Sequence, residues 1–536
     1  LQNDSAALSS RILSRPDRTV MLDALPSLAA LLGCLVCLAA GAAARGDGPA
    51  AWLIPAAGQV AFAASVLAAL ALAAGADGAA GGLARVARLD PLSAAMLLLV
   101  AGLGLVVLRY SRTYLAGHPR RGAFLGDLAL TIGAVQLLVV AGDLVLLAAA
   151  WIGTSLALHR LLVFFPERRM AQLAARKKFV FSRAGDLCVL AATAILAITV
   201  GTTSLDAVLG AARAGGDHVA GGLGAAAVLV AVAAVLKSAQ MPFHVWLPEV
   251  METPTPVSAL LHAGIVNAGG YLVIRLADLV LVSDAALALL ALFGAVTALA
   301  GAAVMQAQTS VKGALAWSTV AQMGFMTLQC GLGAFQAAFL HIVAHGLYKA
   351  YAFLSAGSVL AEPAATPAPD RPWRLAAWLA VAALAVGGGA VALGVDPVAA
   401  PGPVLFALVL AFGLVHLLWH ASAGGSDARA LGRGLALAVG VALAFVAAQT
   451  AAAALLAGSV PVGPGGGAAA AFAAAVGVAA ALLVLAQAAL PHRAGEARWQ
   501  AAYVHVAAGF YLDVVANRLA RRLLPTAVSE PAAWTR

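Results

Sequence analysis

Apolar residues run through this chain in blocks of roughly twenty, separated by short polar or basic stretches. About 20 such residues are needed for a helix to cross the hydrocarbon layer of a bilayer. On that measure the pattern predicts spans at 25–45, 51–74, 91–109, 124–141, 143–163, 184–203, 221–238, 254–277, 285–306, 312–329 and 335–360. Four more follow at 373–394, 402–420, 433–457 and 468–490. A backbone in lipid must satisfy its own hydrogen bonds, so these are helices, and the fold class is an all-α polytopic membrane protein. One bundle is expected over residues 1–490, followed by a short basic tail, 491–536, at the interface or in the cytoplasm. The Ala/Gly/Pro-rich stretches 361–370 and 458–470 read as loops, and no soluble domain is expected.

Composition agrees with the pattern. Hydrophobic residues make up 63% of the chain and charged residues 10%, where soluble domains average about 45–50% and about 25%. The formal charge of +9 could suggest a nucleic-acid partner. The cations, however, sit in short loops between apolar blocks without interleaved aromatics, which excludes that class and instead sets orientation. Arg109, Arg112, Arg120 and Arg121 lie two spans away from Arg160, Arg168, Arg169, Arg176, Lys177, Lys178 and Arg183. Both groups therefore face one side, the cytoplasm, and the N-terminus is expected outside, although Arg11, Arg15 and Arg18 oppose that placement. The chain opens on Leu1 instead of methionine, which leaves a trimmed start open, and no signal-peptide cleavage pattern follows. Cys34, Cys37, Cys188 and Cys330 all fall in apolar blocks. The C-x-x-C pair lacks a nearby basic group or second pair, so it reads as two small residues of a first helix.

Ionisable groups inside a membrane are costly, and their presence points to function. The acids fall at predicted span ends: Asp90, Asp127, Asp143, Asp186, Glu249, Glu252, Asp278 and Asp284. Deep positions are held by bases. Lys237 ends an apolar run and is followed by Ser238, Gln240 and Pro242, a pattern that predicts a helix broken at membrane depth beside a polar cavity. His262 lies within the next span, and His341, His345 and Lys349 repeat every four residues on one helix face. Of 32 lysines and arginines only five are lysine, yet Lys237 and Lys349 stand inside spans and Lys312 at a span mouth. Arginine does not release its proton in a protein, whereas a buried lysine can, so this choice of lysine points to proton exchange. His341 and His345 have zinc-ligand spacing, but no Glu or Cys completes a site, and a proton relay is the expectation. His416 and His420 share that spacing and stay open between relay and interface, while His244 reads as a loop residue.

The stretch KSAQMPFHVWLPEVMETPTPVSALLHAG (237–264) closely resembles the signature of the proton-conducting antiporter subunits of respiratory complex I and the Mrp antiporters. VKGALAWSTVAQMGFM (311–326) and HIVAHGLYKAYAFLSAGSV (341–359) resemble its two downstream blocks. RLDPLSAAMLLLV (88–100) and FSRAGDLCVLA (181–191) resemble flanking segments, so the likeness covers about 88–360. The resemblance implies about 13–15 transmembrane helices in two inverted five-helix repeats with broken helices. It also implies Lys237 as the first-repeat proton lysine, His262, His341 and His345 as relay residues, and Lys349 leading towards the second repeat. Ser238, Gln240, Pro242, Glu249 and Lys312 would support that path.

Three departures separate this chain from the pumping members. Trp151 is followed by Ile152 where the family carries a glutamate, and Asp143 stands nine residues too early to replace it directly. The chain could break near Gly387, Gly388 and Gly389, but no lysine follows Lys349. No long lateral helix is expected after the last span. HAGIVNAGGYLV (262–273), AARKKFVFSRAGD (174–186) and YVHVAAGFYLDVVANRL (503–519) resemble the branch serving bacterial inorganic-carbon accumulation. That resemblance implies a multi-pass protein of the bacterial inner membrane, not itself an enzyme and without a cofactor or metal of its own. Its partner would be a DabA-like, carbonic-anhydrase-like subunit holding zinc, in which CO2 hydration to bicarbonate is driven by cation flow. A pumping subunit of an NADH- or ferredoxin-linked quinone oxidoreductase and an Mrp-type cation/proton antiporter subunit stay open as alternatives. H⁺ and Na⁺ both stay open as the coupling ion.

Overall fold

The computed structural model describes residues 17–44, 53–76, 83, 85–215, 217–357, 372–392, 394–421, 428–463, 465–493 and 495–523. Arg11, Arg15, the loop 361–370 and the tail beyond residue 523 lie outside the described residues. Among the described residues twelve helices are long and apolar enough to cross a membrane, and strand pairing is confined to an isolated bridge between Asp143 and Ser204. The all-α membrane class read from the pattern holds.

Two compact units divide the chain. The first, residues 1–158 with 203–207, contains α1 (Asp17–Ala43), α2 (Leu53–Ala73), α3 (Pro91–Tyr114), α4 (Arg121–Val140) and most of α5 (Leu144–Leu162). Asp90 starts α3 through a capping box with Ser93, with Pro91 in the first turn where its missing N–H costs nothing. Cys34 and Cys37 are free and buried in α1, as two small residues of a first helix should be. Asp143 is held at the start of α5, where Thr203 Oγ1 and the Val145 amide donate to its carboxylate at 2.7 and 2.8 Å.

The second unit carries α6 (Arg169–Val200), the short α7 (Leu205–Ala214, shared at its start) and α8 (Asp217–Lys237). Two buried 3-10 turns, Phe243–Trp246 and Pro248–Glu252, follow α8. Next come α9 (Thr255–Ala263), α10 (Ala268–Arg275), α11 (Ala277–Val280), α12 (Asp284–Gln306), α13 (Val311–Gly331) and α14 (Phe335–Leu354). α15 (Pro372–Ala392), α16 (Pro401–Ala421), α17 (Ala428–Leu456) and α18 (Gly467–Arg493) follow, and α19 (Ala497–Ala507) and α20 (Leu512–Leu523) are the last described helices. Ser283 and Ser310 cap α12 and α13 by accepting from the amides of Ala286 and Gly313.

Two expectations need correction. α6 begins at Arg169, not near 184, so Arg176, Lys177, Lys178 and Arg183 belong to a helix instead of a loop. Asp186 consequently lies inside α6 and is buried, not at a span end. Secondly, α15 passes unbroken through Gly387, Gly388 and Gly389. No proline lies between that run and the end of the helix at Ala392, so no amide donor is lost there.

Candidate functional site

The segment from α8 to α10 is where the regular backbone fails, and the reasons are local. Lys237 is the last residue of α8 and is buried. Ala239 then takes a left-handed φ of 50°, and Pro242 brings no N–H, so the helical ladder cannot continue. The freed groups find partners nearby. Ser238 N still donates to Ala234 O at 2.9 Å, Gln240 Nε2 donates to Ser238 O at 2.9 Å, and Met241 N donates to Thr297 Oγ1 at 2.9 Å. Ser238, Gln240 and Pro242 thus form the break expected from the sequence, and they explain how it survives in an apolar bundle. Gly269 of α10 permits the close approach behind it: a Cβ there would stand 2.7 Å from Ala234 O and still closer to Ser238 Oγ.

The charges around Lys237 come from α6, which packs along α8. Asp186 and Arg183 both act electrostatically on Lys237, and Lys178 is coupled to Lys237, Arg183 and Asp186. Arg183 Nη2 and Asp186 Oδ2 are 2.5 Å apart. Lys178, Asp186 and Lys237 are all buried. Glu249 is engaged elsewhere, in an ion pair with Lys177.

A second cluster gathers on α9, α13 and α14. His262 is completely buried and its ring stacks on Phe353 with centroids 4.5 Å apart and planes 25° from parallel. The His341 and His345 rings lie 6.0 Å apart, and His341 Nδ1 is bonded to Gln329 Oε1 at 3.1 Å. Lys349 is completely buried and donates to the Leu315 carbonyl at 3.0 Å. His345 is in electrostatic reach of His341, Lys349 and His262, and His262 in reach of Lys349. Both ring nitrogens of His262 and of His345 lack a hydrogen-bond partner among the described residues. Buried polar atoms in native proteins are almost always satisfied, by protein or by water. A cavity of about 610 Å³ reaches this cluster, with His341, His345, Gln322, Gln329, Phe406 and Phe445 in its lining.

The five residues expected on the proton path therefore divide. His262, His341, His345 and Lys349 come together, while Lys237 sits with the α6 charges. Lys312 reaches Thr255, the first residue of α9, at 3.1 Å. His416 packs against Trp419 at 6.0 Å between ring centroids, outside both clusters. His244, taken from the sequence as a loop residue, is buried in the first 3-10 turn. Lys178, Arg183, Asp186 and Gln329 are the members that sequence reasoning missed. Among the described residues no three His, Cys, Asp or Glu side chains are grouped to hold a metal ion.

With the geometry in hand, comparison with known proteins is informative. Residues 141–388 match the family described as NADH:quinone oxidoreductase/Mrp antiporter, transmembrane, and residues 86–125 match the complex I chain 5 N-terminus family. The "Probable inorganic carbon transporter subunit DabB" of Hydrogenovibrio crunogenus is 47% identical over 273 residues, 50% of this chain and 52% of that one. NADH-quinone oxidoreductase subunit L of Mycobacterium tuberculosis is 39% identical over 276 residues, 51% of this chain and 43% of that one. The chain thus matches about half the length of these relatives. Among solved structures, a chain of the Mrp complex from Dietzia sp. DQ12-45-1b superposes with a TM-score of 0.51 at 25% identity, over 95% of this chain and 57% of that one.

Proposed function

We propose that the chain, whose residues 141–388 and 86–125 match the membrane subunits shared by NADH:quinone oxidoreductases and Mrp antiporters, conducts protons to energise inorganic-carbon uptake. The observation that carries the reading is the buried His262, His341, His345 and Lys349 cluster, with four imidazole nitrogens that the described protein does not satisfy. Neutral imidazole donates at one nitrogen and accepts at the other, so such rings pass protons when water bridges them. A buried lysine at the end of the row offers a site that can hold and release the proton. Lys237 supplies a second exchange site, with Asp186 as the acid in its neighbourhood. Asp186 would stand in for the glutamate that Ile152 displaces.

Likeness to inorganic-carbon transporter subunits supports the carbon role, at 47% identity against 39% for the quinone oxidoreductase subunit. In this reading the catalytic step, CO2 to bicarbonate, belongs to a separate DabA-like zinc subunit similar to carbonic anhydrases. The chain would sit in the bacterial inner membrane with its cation-rich segment in the cytoplasm. The test is growth of a carbonic-anhydrase-deficient bacterium at ambient CO2, carrying this chain with its neighbouring zinc subunit. Growth and labelled inorganic-carbon uptake are expected, and both should fail with an uncoupler or with Lys237→Ala or Lys349→Ala. Uptake indifferent to all of these overturns the reading, and copurification with quinone-reductase subunits moves the chain to the pumping class.

A further inference from the structure

The C-terminal segment does not hang free of the second unit. Tyr503 Oη donates to Ala307 O, and Gln308 Nε2 to Ala507 O, each at 3.4 Å. Lys177 Nζ of α6 donates to Asn517 Oδ1 of α20 at 2.8 Å, and Asn517 Nδ2 donates to Glu249 Oε1 at 3.4 Å. Between α19 and α20 the backbone turns through three consecutive left-handed residues, Gly509, Phe510 and Tyr511, with φ of 58°, 57° and 59°. A Cβ on Gly509 would meet the Trp317 ring at 2.9 Å. Left-handed Phe and Tyr are strained, and such strain persists only where the surroundings over-determine it, often at functional sites.

That turn closes one wall of a pocket of about 210 Å³, whose other lining includes His244, Glu249, Trp317 and Asp513. The space suits several waters, since it is both roomy and polar. His244 is 1% exposed, its ring is 5.0 Å from that of Trp317, and its Nδ1 has no hydrogen-bond partner among the described residues. The charged groups around the pocket are few. Lys177 pairs with Glu249 and is also in electrostatic reach of Asp513, so two acids and one lysine leave the pocket net negative. From the same 3-10 segment Glu252 engages Arg168 through its carbonyl, and Lys312 of α13 is turned to Thr255.

We propose that this pocket is a hydrated port through which protons reach the broken helix, with Asp513 of the tail as its outer acceptor and His244 as its inner one. The port deepens the proton-conduction reading and rests on it. Asp513 draws protons from solvent, pocket water carries them on, and neutral His244 accepts at the free Nδ1. Lys177, Asn517 and Glu249 hold the tail in place so that the pocket keeps its wall.

Two readouts on the intact chain in proteoliposomes test this. In the first, His244→Cys should react with aminoethyl methanethiosulfonate, above the background of the parent chain, where the equally buried Ala259→Cys does not. In the second, a potassium diffusion potential drives proton influx, read by an enclosed pH dye. Asp513→Asn should lower the initial flux about tenfold at low ionic strength, with the deficit shrinking as salt screens the lip. His244→Gln should lower the flux at every salt concentration. An unreactive His244→Cys shows the pocket is dry and overturns the port whether or not the chain conducts. Flux unchanged in both Asp513→Asn and His244→Gln overturns it as well. Wild-type flux no higher than that of Lys237→Ala overturns the conduction reading beneath it.

Discussion

Replacing Asp186 by asparagine keeps the shape of the side chain and removes the one acid among Lys178, Arg183 and Lys237. The Arg183–Asp186 pair is close, at 2.5 Å, with side-chain exposures of 30% and 6%. Deleting one partner of a fully buried pair costs about 3–5 kcal/mol, and the partial exposure of Arg183 lowers that share. Lys237 and Lys178 add to it. At an effective dielectric of about 20, unit charges about 6 Å apart interact by about 3 kcal/mol. Either share alone is about 2–4 kcal/mol, so the loss is at least about 30-fold in a rate that passes through the charged cluster. The assay is proton flux into proteoliposomes, normalised to the amount of folded protein by size exclusion. Asp186→Glu should retain most of the flux. Asp186→Asn combined with Lys178→Met should recover part of it, because the net charge of the cluster returns to its starting value. A flux within twofold of wild type in Asp186→Asn, with Lys237→Ala inactive under the same conditions, would refute the reasoning.

Lys237→Arg and Lys237→Ala should both abolish conduction while the chain still inserts, since arginine keeps the charge and not the exchange; full flux in the arginine variant rejects the proton-lysine role. Gln329→Leu removes the partner of His341 Nδ1, and about 1 kcal/mol of lost hydrogen bonding predicts a several-fold lower flux with only a small drop in thermal stability. Gly269→Val places new atoms against Ala234 O and Ser238 Oγ, and overpacking of about 1–3 kcal/mol should lower the melting temperature in detergent. An unshifted melt would show that α10 does not press on the break as described.

Much of the candidate site's geometry was legible because membrane burial makes polar residues conspicuous. Lys237 before Ser238, Gln240 and Pro242 announced a broken helix, and the spacing of His341, His345 and Lys349 announced one face. The cluster on α6 was hidden by the same logic. Its cations pulled the hydropathy down ahead of residue 184, so a helix that starts at Arg169 looked like a loop. The signal that reveals it is periodicity. Ala171, Ala174, Lys178, Ser182, Gly185, Val189, Ala192 and Leu196 form one buried stripe that runs straight through the charged stretch. Asp186 lies beside that stripe, three residues after Arg183. Glycines misled in the opposite direction at 387–389, where α15 continues because every residue keeps its amide donor.

The two clusters are joined by covalent continuity as well as by packing. Lys237 ends α8, His262 lies on α9, and the segment 238–254 between them has no regular helix to lend it stiffness. Side-chain bonds that hold it and its end include Thr297 to the Met241 amide, Lys177 to Glu249, and Lys312 to Thr255. Each anchor comes from a different helix, α12, α6 and α13. A regular helix through residue 241 would use the Met241 amide in its own ladder, leaving Thr297 without that donor. The irregular backbone opens polar groups beside Lys237, while the segment is bonded to α12 and α6 and the first residue of α9 to α13.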